Sequence, residues 1–85
     1  MKVYIFTAPW CNSCKRINKD NMTEISLDEG VKDQYIVNVL GITKFPTLIM
    51  YDNERDMNEI DRFISSDNND IQLWIEYHEN GEEYK

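Results

Sequence analysis

The stretch VYIFTAPWCNSCKR, Val3 to Arg16, runs an apolar segment straight into two cysteines separated by two residues, and that junction decides the architecture. Val3 to Phe6 is continuously apolar and β-prone, the pattern of a strand buried on both faces. Thr7, Ala8 and Pro9 interrupt it. From Cys11 to about Met22 there is no Gly or Pro, and Cys14, Ile17 and, more loosely, Asn21 fall on one side at helical spacing. The expectation is a strand feeding a helix whose first turn holds both cysteines.

The cysteine pair makes a poor staple. In the chain-entropy estimate a four-residue loop gives about 2 kcal/mol, against about 4.7 for a 100-residue loop. Zinc fits no better, because a structural site normally takes four ligands and the chain offers His78 as its sole histidine and no third cysteine. No metal is expected. A redox couple has direct support: a thiol at a helix N-terminus meets free N–H donors and the positive end of the dipole, which favour thiolate. Lowering a thiol pKa from about 8.5 to about 7 raises the thiolate fraction at neutral pH from about 3% to about half. Lys15 and Arg16 either add to that field or form a solvated helix face. Cys11 is then expected to be the exposed attacker, and Cys14, one turn on and facing the core with Ile17, the shielded resolver.

Working outward, Glu24 to Leu27 alternates like a short strand, and Asp28-Glu29-Gly30 leads into VKDQYIVNVL. There Val31, Tyr35 and Val39 share a helical face flanked by Ile36 and Leu40, with Gly41 at the C′ position. Pro46 precedes TLIMY, a strand that tolerates proline at its start. Asp52 to Asp56 turns the chain into NEIDRFI, a hairpin partner with Ile60 and Phe63 as its larger apolar residues. Ser66 or Asp67 caps a last helix in which Ile71, Trp74, Ile75 and His78 form the apolar stripe. The tail from His78 on is expected to fray. The order β-α-β-α-β-β-α predicts an α/β fold, a four-stranded mixed sheet covered by three helices, with the first two strands parallel and the last two antiparallel.

With 85 residues there is room for a single domain, 1–85, since so short a chain buries only about 60 to 65% of its unfolded surface. Hydrophobic residues at 41% suffice for a core. Acids outnumber bases 16 to 9, for a net charge of −7, which disfavours nucleic acid as a partner. The opening apolar run is shorter than a signal peptide's core and no segment approaches the length of a bilayer span, so the sequence reads as cytoplasmic and without membrane insertion.

WCNSCK at Trp10 to Lys15, together with GITKFPTLIMY at Gly41 to Tyr51, resembles the thioredoxin family. The resemblance implies the thioredoxin fold, a cis Pro46 packed beside the disulfide, and a Phe45 backbone that pairs with an extended substrate. Trp10 flanks the site as part of a docking surface, or is a core tryptophan. The chain departs from the family in lacking thioredoxin's first strand and helix, so its size resembles glutaredoxin. Asn12-Ser13 replaces the usual Gly-Pro. Ile5 stands where thioredoxins have a buried Asp, which leaves Glu24 as a substitute proton acceptor for Cys14 or as a solvated strand-end glutamate. The Gly-Gly turn of glutaredoxins is absent, and Arg62 there either clamps an acidic partner or glutathione carboxylate or is a solvated hairpin residue.

By resemblance the expected function is that of a thiol-disulfide oxidoreductase, a monomeric reductant of disulfide-containing proteins. It would need no bound cofactor and would be recharged by an NADPH-dependent thioredoxin reductase. Ribonucleotide reductase is the first client the family suggests. A glutathione-recharged glutaredoxin is the alternative, and a non-catalytic thioredoxin-fold module that binds a partner is the second.

Overall fold

β1 (Lys2–Thr7) lies inside a four-stranded sheet, and its side chains alternate between two cores. The computed structural model describes residues 1–27 and 35–80. The sheet order is β2-β1-β3-β4, with β2 (Thr23–Ser26) parallel to β1 and β3 (Thr47–Tyr51) and β4 (Glu59–Ile64) antiparallel to their neighbours. Val3 and Ile5 of β1, with Leu48 and Met50 of β3, face Ile17, Ile71 and Trp74. Phe6, Ile49 and Tyr51 face the other way, onto Ile36 and Ile42. Both central strands are therefore covered on both faces, as their unbroken apolar sequences predict. The four-stranded mixed sheet, with β1 and β2 parallel and β3 and β4 antiparallel, follows the expectation.

The segment after the cysteines does not. Instead of a helix from Cys11 to about Met22, the chain makes one 3-10 turn, Ser13–Arg16, and Ile17 is already extended at φ −82°, ψ 134°. The polar run that follows stops the helix. Asn18 Oδ1 accepts from the Asp20 N–H, the Met22 N–H donates to the Lys19 carbonyl, and Asn21 takes a left-handed φ of 66°. Asn and Asp side chains compete with the helical ladder in this way. A tertiary contact reinforces the stop: Asn68 donates its amide to the Arg16 carbonyl and accepts from the Asn18 N–H. Ile17 still packs into the core beside Cys14's turn, so the side expected to face inward does so.

The second helix also differs. Its described part, Tyr35–Val39, is a single wide π-type turn, and Val31 lies outside the described residues. The expected face through Val39 is wrong, because Val39 is 66% exposed while Ile36 is buried. A wider turn advances each residue by a smaller angle than an α-helix does, so the stripe rotates onto Ile36, with Leu40 packed against the same cluster. Gly41 has φ +70°, the left-handed conformation that a C′ glycine supplies.

In β4, Tyr51 pairs with Glu59 and Met50 with Asp61, so Ile60 has no partner opposite it. That bulge turns Ile60 outward, leaving it 45% exposed, whereas Phe63 stacks on Trp74 as a core residue should. α1 (Asn68–Glu79) is capped by Asp67, whose carboxylate accepts from the Asn69 and Asp70 N–H groups. Its buried face is Ile71 and Trp74, with Ile75 packed alongside, and the helix carries His78 and Glu79 of the tail that was expected to fray. Residues 81–85 lie outside the described residues. The Asp61 carboxylate on β4 receives both Trp74 Nε1 and His78 Nε2 at 2.9 Å. Burial pushes this carboxyl up, but the hydrogen bonds from Trp74, His78 and the Arg62 backbone outweigh it and hold Asp61 below its ordinary range. Among the described residues, no helix is long and apolar enough to cross a membrane.

Candidate active site

The loop leaving the C-terminal end of β1 carries the cysteines to the edge of the core. Cys11 donates its N–H to the Ala8 carbonyl at 3.0 Å, and Cys14 donates its own to the Cys11 carbonyl at 3.2 Å, which curls the loop back over Ala8. Cys11 and Cys14 form a disulfide with a Cα–Cα separation of 5.4 Å, inside the usual range. Ala8, Cys11 and Cys14 make a small buried cluster against which Phe45 and Leu27 pack.

The relative shielding of the two sulfurs is as expected in order but small in degree. Cys11 is 8% exposed and Cys14 3%, so in the oxidised form both are buried and Cys11 is not an exposed residue. Phe45 and Ala8 cover it. Nor does a long helix stand behind Cys11 to supply a dipole, since the 3-10 turn has four residues. Direct donors take that part instead: the Cys14 N–H lies 3.2 Å from Cys11 Sγ and the Ser13 hydroxyl 3.5 Å away. A disulfide sulfur has no hydrogen to give, so Ser13 donates. Both groups can follow the same sulfur when it becomes a thiolate, the charged and better acceptor.

The Phe45–Pro46 peptide is cis, as the resemblance implies. Because Phe6 pairs with Thr47, Pro46 falls level with Thr7, just below the cysteine loop. The Thr47 hydroxyl donates to the Lys44 carbonyl at 2.6 Å and closes the turn before it. Phe45 meets Trp10 edge-on, ring centroids 6.0 Å apart. Trp10 is 53% exposed, which settles it as a surface residue beside the disulfide and not a core tryptophan.

The three candidate modulators part company. Lys15 lines a cavity of about 190 Å3 with Cys11, Cys14, Thr7, Lys19, Glu24 and Ser26. Glu24 is thus brought to the cysteines, where its Oε2 accepts from the Thr7 hydroxyl at 2.7 Å. Arg62 is not. Its Nε and Nη2 hold Glu59 at 2.7 and 2.8 Å while Nη1 donates to the Leu40 carbonyl at 2.8 Å, so the guanidinium ties β4 to the π-type turn. Neither a clamp on a partner nor a freely solvated side chain describes it. Sequence reading missed Thr7 and Lys19. Thr7 could have been found from strand alternation, which sets it on the face of Val3 and Ile5; Lys19, whose Nζ donates to the Cys14 carbonyl at 2.7 Å, depends on the early end of the helix and had no sequence signal. No metal-binding group of three or more His, Cys, Asp or Glu occurs among the described residues.

No protein-family model matches the chain, and no curated protein does either. Solved structures do match. The Malassezia sympodialis thioredoxin Mala s 13 superposes with a TM-score of 0.67 at 26% identity, over 89% of this chain and 72% of that one. The fold is that of thioredoxin. Plasmodium falciparum thioredoxin agrees at a TM-score of 0.65 and 22% identity, over 91% of this chain and 84% of that one. A thioredoxin f2, solved in complex with ferredoxin:thioredoxin reductase, agrees at 0.64 and 19%, over 92% and 78%. With a thioredoxin fold, a Cys11–Cys14 disulfide in the loop after β1 and a cis-proline level with Thr7, the chain has the framework of a thiol–disulfide oxidoreductase.

Proposed function

We propose that this protein reduces the disulfides of other proteins by dithiol exchange through Cys11 and Cys14. The observation that carries the reading is the pair itself: a disulfide whose outer sulfur receives the Cys14 N–H and the Ser13 hydroxyl, next in sequence to an exposed Trp10. In the reduced protein the Cys11 thiolate attacks one sulfur of a client disulfide, forming a mixed disulfide and releasing the other client sulfur as thiolate. Cys14 then attacks Cys11 Sγ, the mixed bond breaks, and the second client sulfur leaves. Two electrons pass to the client. In the disulfide form the Cys14 N–H lies 3.2 Å from Cys11 Sγ, which sets the resolving residue one turn from its target.

Trp10, Phe45 and Pro46 form the face on which an extended client segment would lie, with the backbone before Pro46 as its pairing edge. A reversible pair of this kind suits a reducing compartment, in keeping with a monomeric cytoplasmic carrier. An NADPH-dependent thioredoxin reductase is the proposed electron donor; the similar thioredoxin f2, solved with ferredoxin:thioredoxin reductase, supports a reductase partner in general. Ribonucleotide reductase is the first client to test.

The discriminating assay is insulin-disulfide reduction driven in parallel by NADPH with thioredoxin reductase and by glutathione with glutathione reductase. The thioredoxin reductase arm is expected to be the faster. Turnover with glutathione alone would assign the protein to glutaredoxin chemistry instead.

A further inference from the structure

The turn that carries Cys14 is too short to hold its own shape. Ser13–Arg16 is one 3-10 turn with long backbone bonds: the Cys14 N–H reaches the Cys11 carbonyl at 3.2 Å, the Lys15 N–H the Asn12 carbonyl at 3.2 Å, and the Ile17 N–H the Cys14 carbonyl at 3.4 Å. A lone turn gains no cooperativity from a ladder behind it. The shorter bonds come from outside the turn. Asn68 Nδ2 donates to the Arg16 carbonyl at 3.0 Å and Asn68 Oδ1 accepts from the Asn18 N–H at 2.8 Å, so one carboxamide grips the backbone on both sides of Ile17. Lys19 Nζ adds a bond of 2.7 Å to the Cys14 carbonyl. Asn68 is itself well fixed, as the first residue of α1, beside the Asp67 cap, on a helix seated by Ile71 in the same cluster as Ile17.

Two cysteines can close a disulfide only while their Cα atoms stay within about 4.4 to 6.8 Å. Here the separation is 5.4 Å. The Cys11 N–H is tied to the Ala8 carbonyl, so the place of Cys14 relative to it depends on the turn, and the turn on the grip at its end. We propose, building on the dithiol-exchange reading, that Asn68 is a positioning residue for the couple, pinning the Cys14 turn so that closure of the Cys11–Cys14 bond is favoured. As that bond closes, the two thiols give up two protons and two electrons to a disulfide such as oxidised glutathione, which leaves as two thiols. A grip that favours the closed form makes the reduced protein a stronger reductant. Asn68 carries no charge, so it acts through geometry and not through the field at either sulfur.

The test compares wild type with Asn68→Ala and with Asn69→Ala, which makes the same truncation one position along α1 and leaves the bonds to Arg16 and Asn18 in place. Each intact protein is equilibrated in glutathione redox buffers and weighed after alkylation, and its oxidised and reduced forms are each unfolded in urea. In Asn68→Ala the equilibrium constant for oxidation is expected to fall about 3- to 10-fold, a midpoint about 15 to 30 mV less negative. Both bonds lie at the surface, where water replaces a lost partner, and this keeps the change within that range. The unfolded chain closes the same short loop in every variant, so the oxidised form must lose more stability than the reduced form by that same factor. Asn69→Ala should leave the equilibrium constant unchanged. An unchanged or raised constant in Asn68→Ala, with both redox forms destabilised alike, makes the grip merely structural and overturns the proposal while dithiol exchange stands. A wild-type pair that passes between its two forms in none of the buffers overturns dithiol exchange and this proposal together.

Discussion

Cys14→Ser is expected to accumulate a covalent complex with a protein disulfide, whereas Cys11→Ser accumulates none. Cys11 Sγ has the Cys14 N–H at 3.2 Å and the Ser13 hydroxyl at 3.5 Å, two donors that stabilise a thiolate there. Cys14 is the more shielded of the two, packed toward the sheet one turn inside the loop, where desolvation disfavours its charge until an electrophile arrives. Without Cys14 the first exchange proceeds and the mixed disulfide cannot be resolved internally. Turnover in the insulin assay should fall to the level of the blank in both variants, but a non-reducing gel and intact mass separate them: a dithiothreitol-sensitive adduct with Cys14→Ser alone. The reverse pattern would make Cys14 the nucleophile and remove the basis for the donor argument.

Trp74→Ala should cost about 3 to 5 kcal/mol, a large share of a stability that is about 5 to 15 kcal/mol for an ordinary domain. The indole joins α1 to the sheet in three ways. It packs with Val3, Ile5, Leu48 and Met50, it stacks on Phe63 with centroids 5.4 Å apart, and its Nε1 donates to the Asp61 carboxylate. Removing it leaves a cavity and strips Asp61 of one of its two side-chain donors. Trp74→Phe keeps much of the volume and loses the N–H, so its cost should be clearly smaller. Urea unfolding of the three proteins measures this; equal stability of Trp74→Ala and wild type would show that α1 is not fastened through Trp74.

The strands and the cysteine site were legible because each rests on a local signal that packing then reinforces. Val3 to Phe6 and Thr47 to Tyr51 are apolar at every or nearly every position, and a central strand covered on both faces demands that. Pro46, Thr47 and Gly41 occupy positions whose backbone geometry suits their residue types. The helices were less legible. Absence of Gly and Pro permits a helix without requiring one; the Asn18 side chain satisfied the Asp20 N–H locally, Asn21 took a left-handed φ, and Asn68, fifty positions along the sequence from Asn18, bonded the Asn18 N–H and the Arg16 carbonyl. That distant partner leaves no trace in the segment itself. The register of β4 was not legible for a related reason, since one bulged residue at Ile60 shifts the pairing and a bulge has no period of its own. For Arg62 the partners are Glu59, three residues away and visible, and the Leu40 carbonyl, which only the tertiary fold brings near.

The central claim, that Cys11 and Cys14 are a reversible two-electron couple, is tested most directly by equilibrating the folded protein across a series of glutathione redox buffers, alkylating it and weighing it intact. The account predicts a direct passage from a form with both cysteines alkylated to a form with neither, while far-UV circular dichroism stays native. A pair that resists reduction in every buffer that preserves the fold, or that carries a single bound glutathione across the whole series, would contradict it.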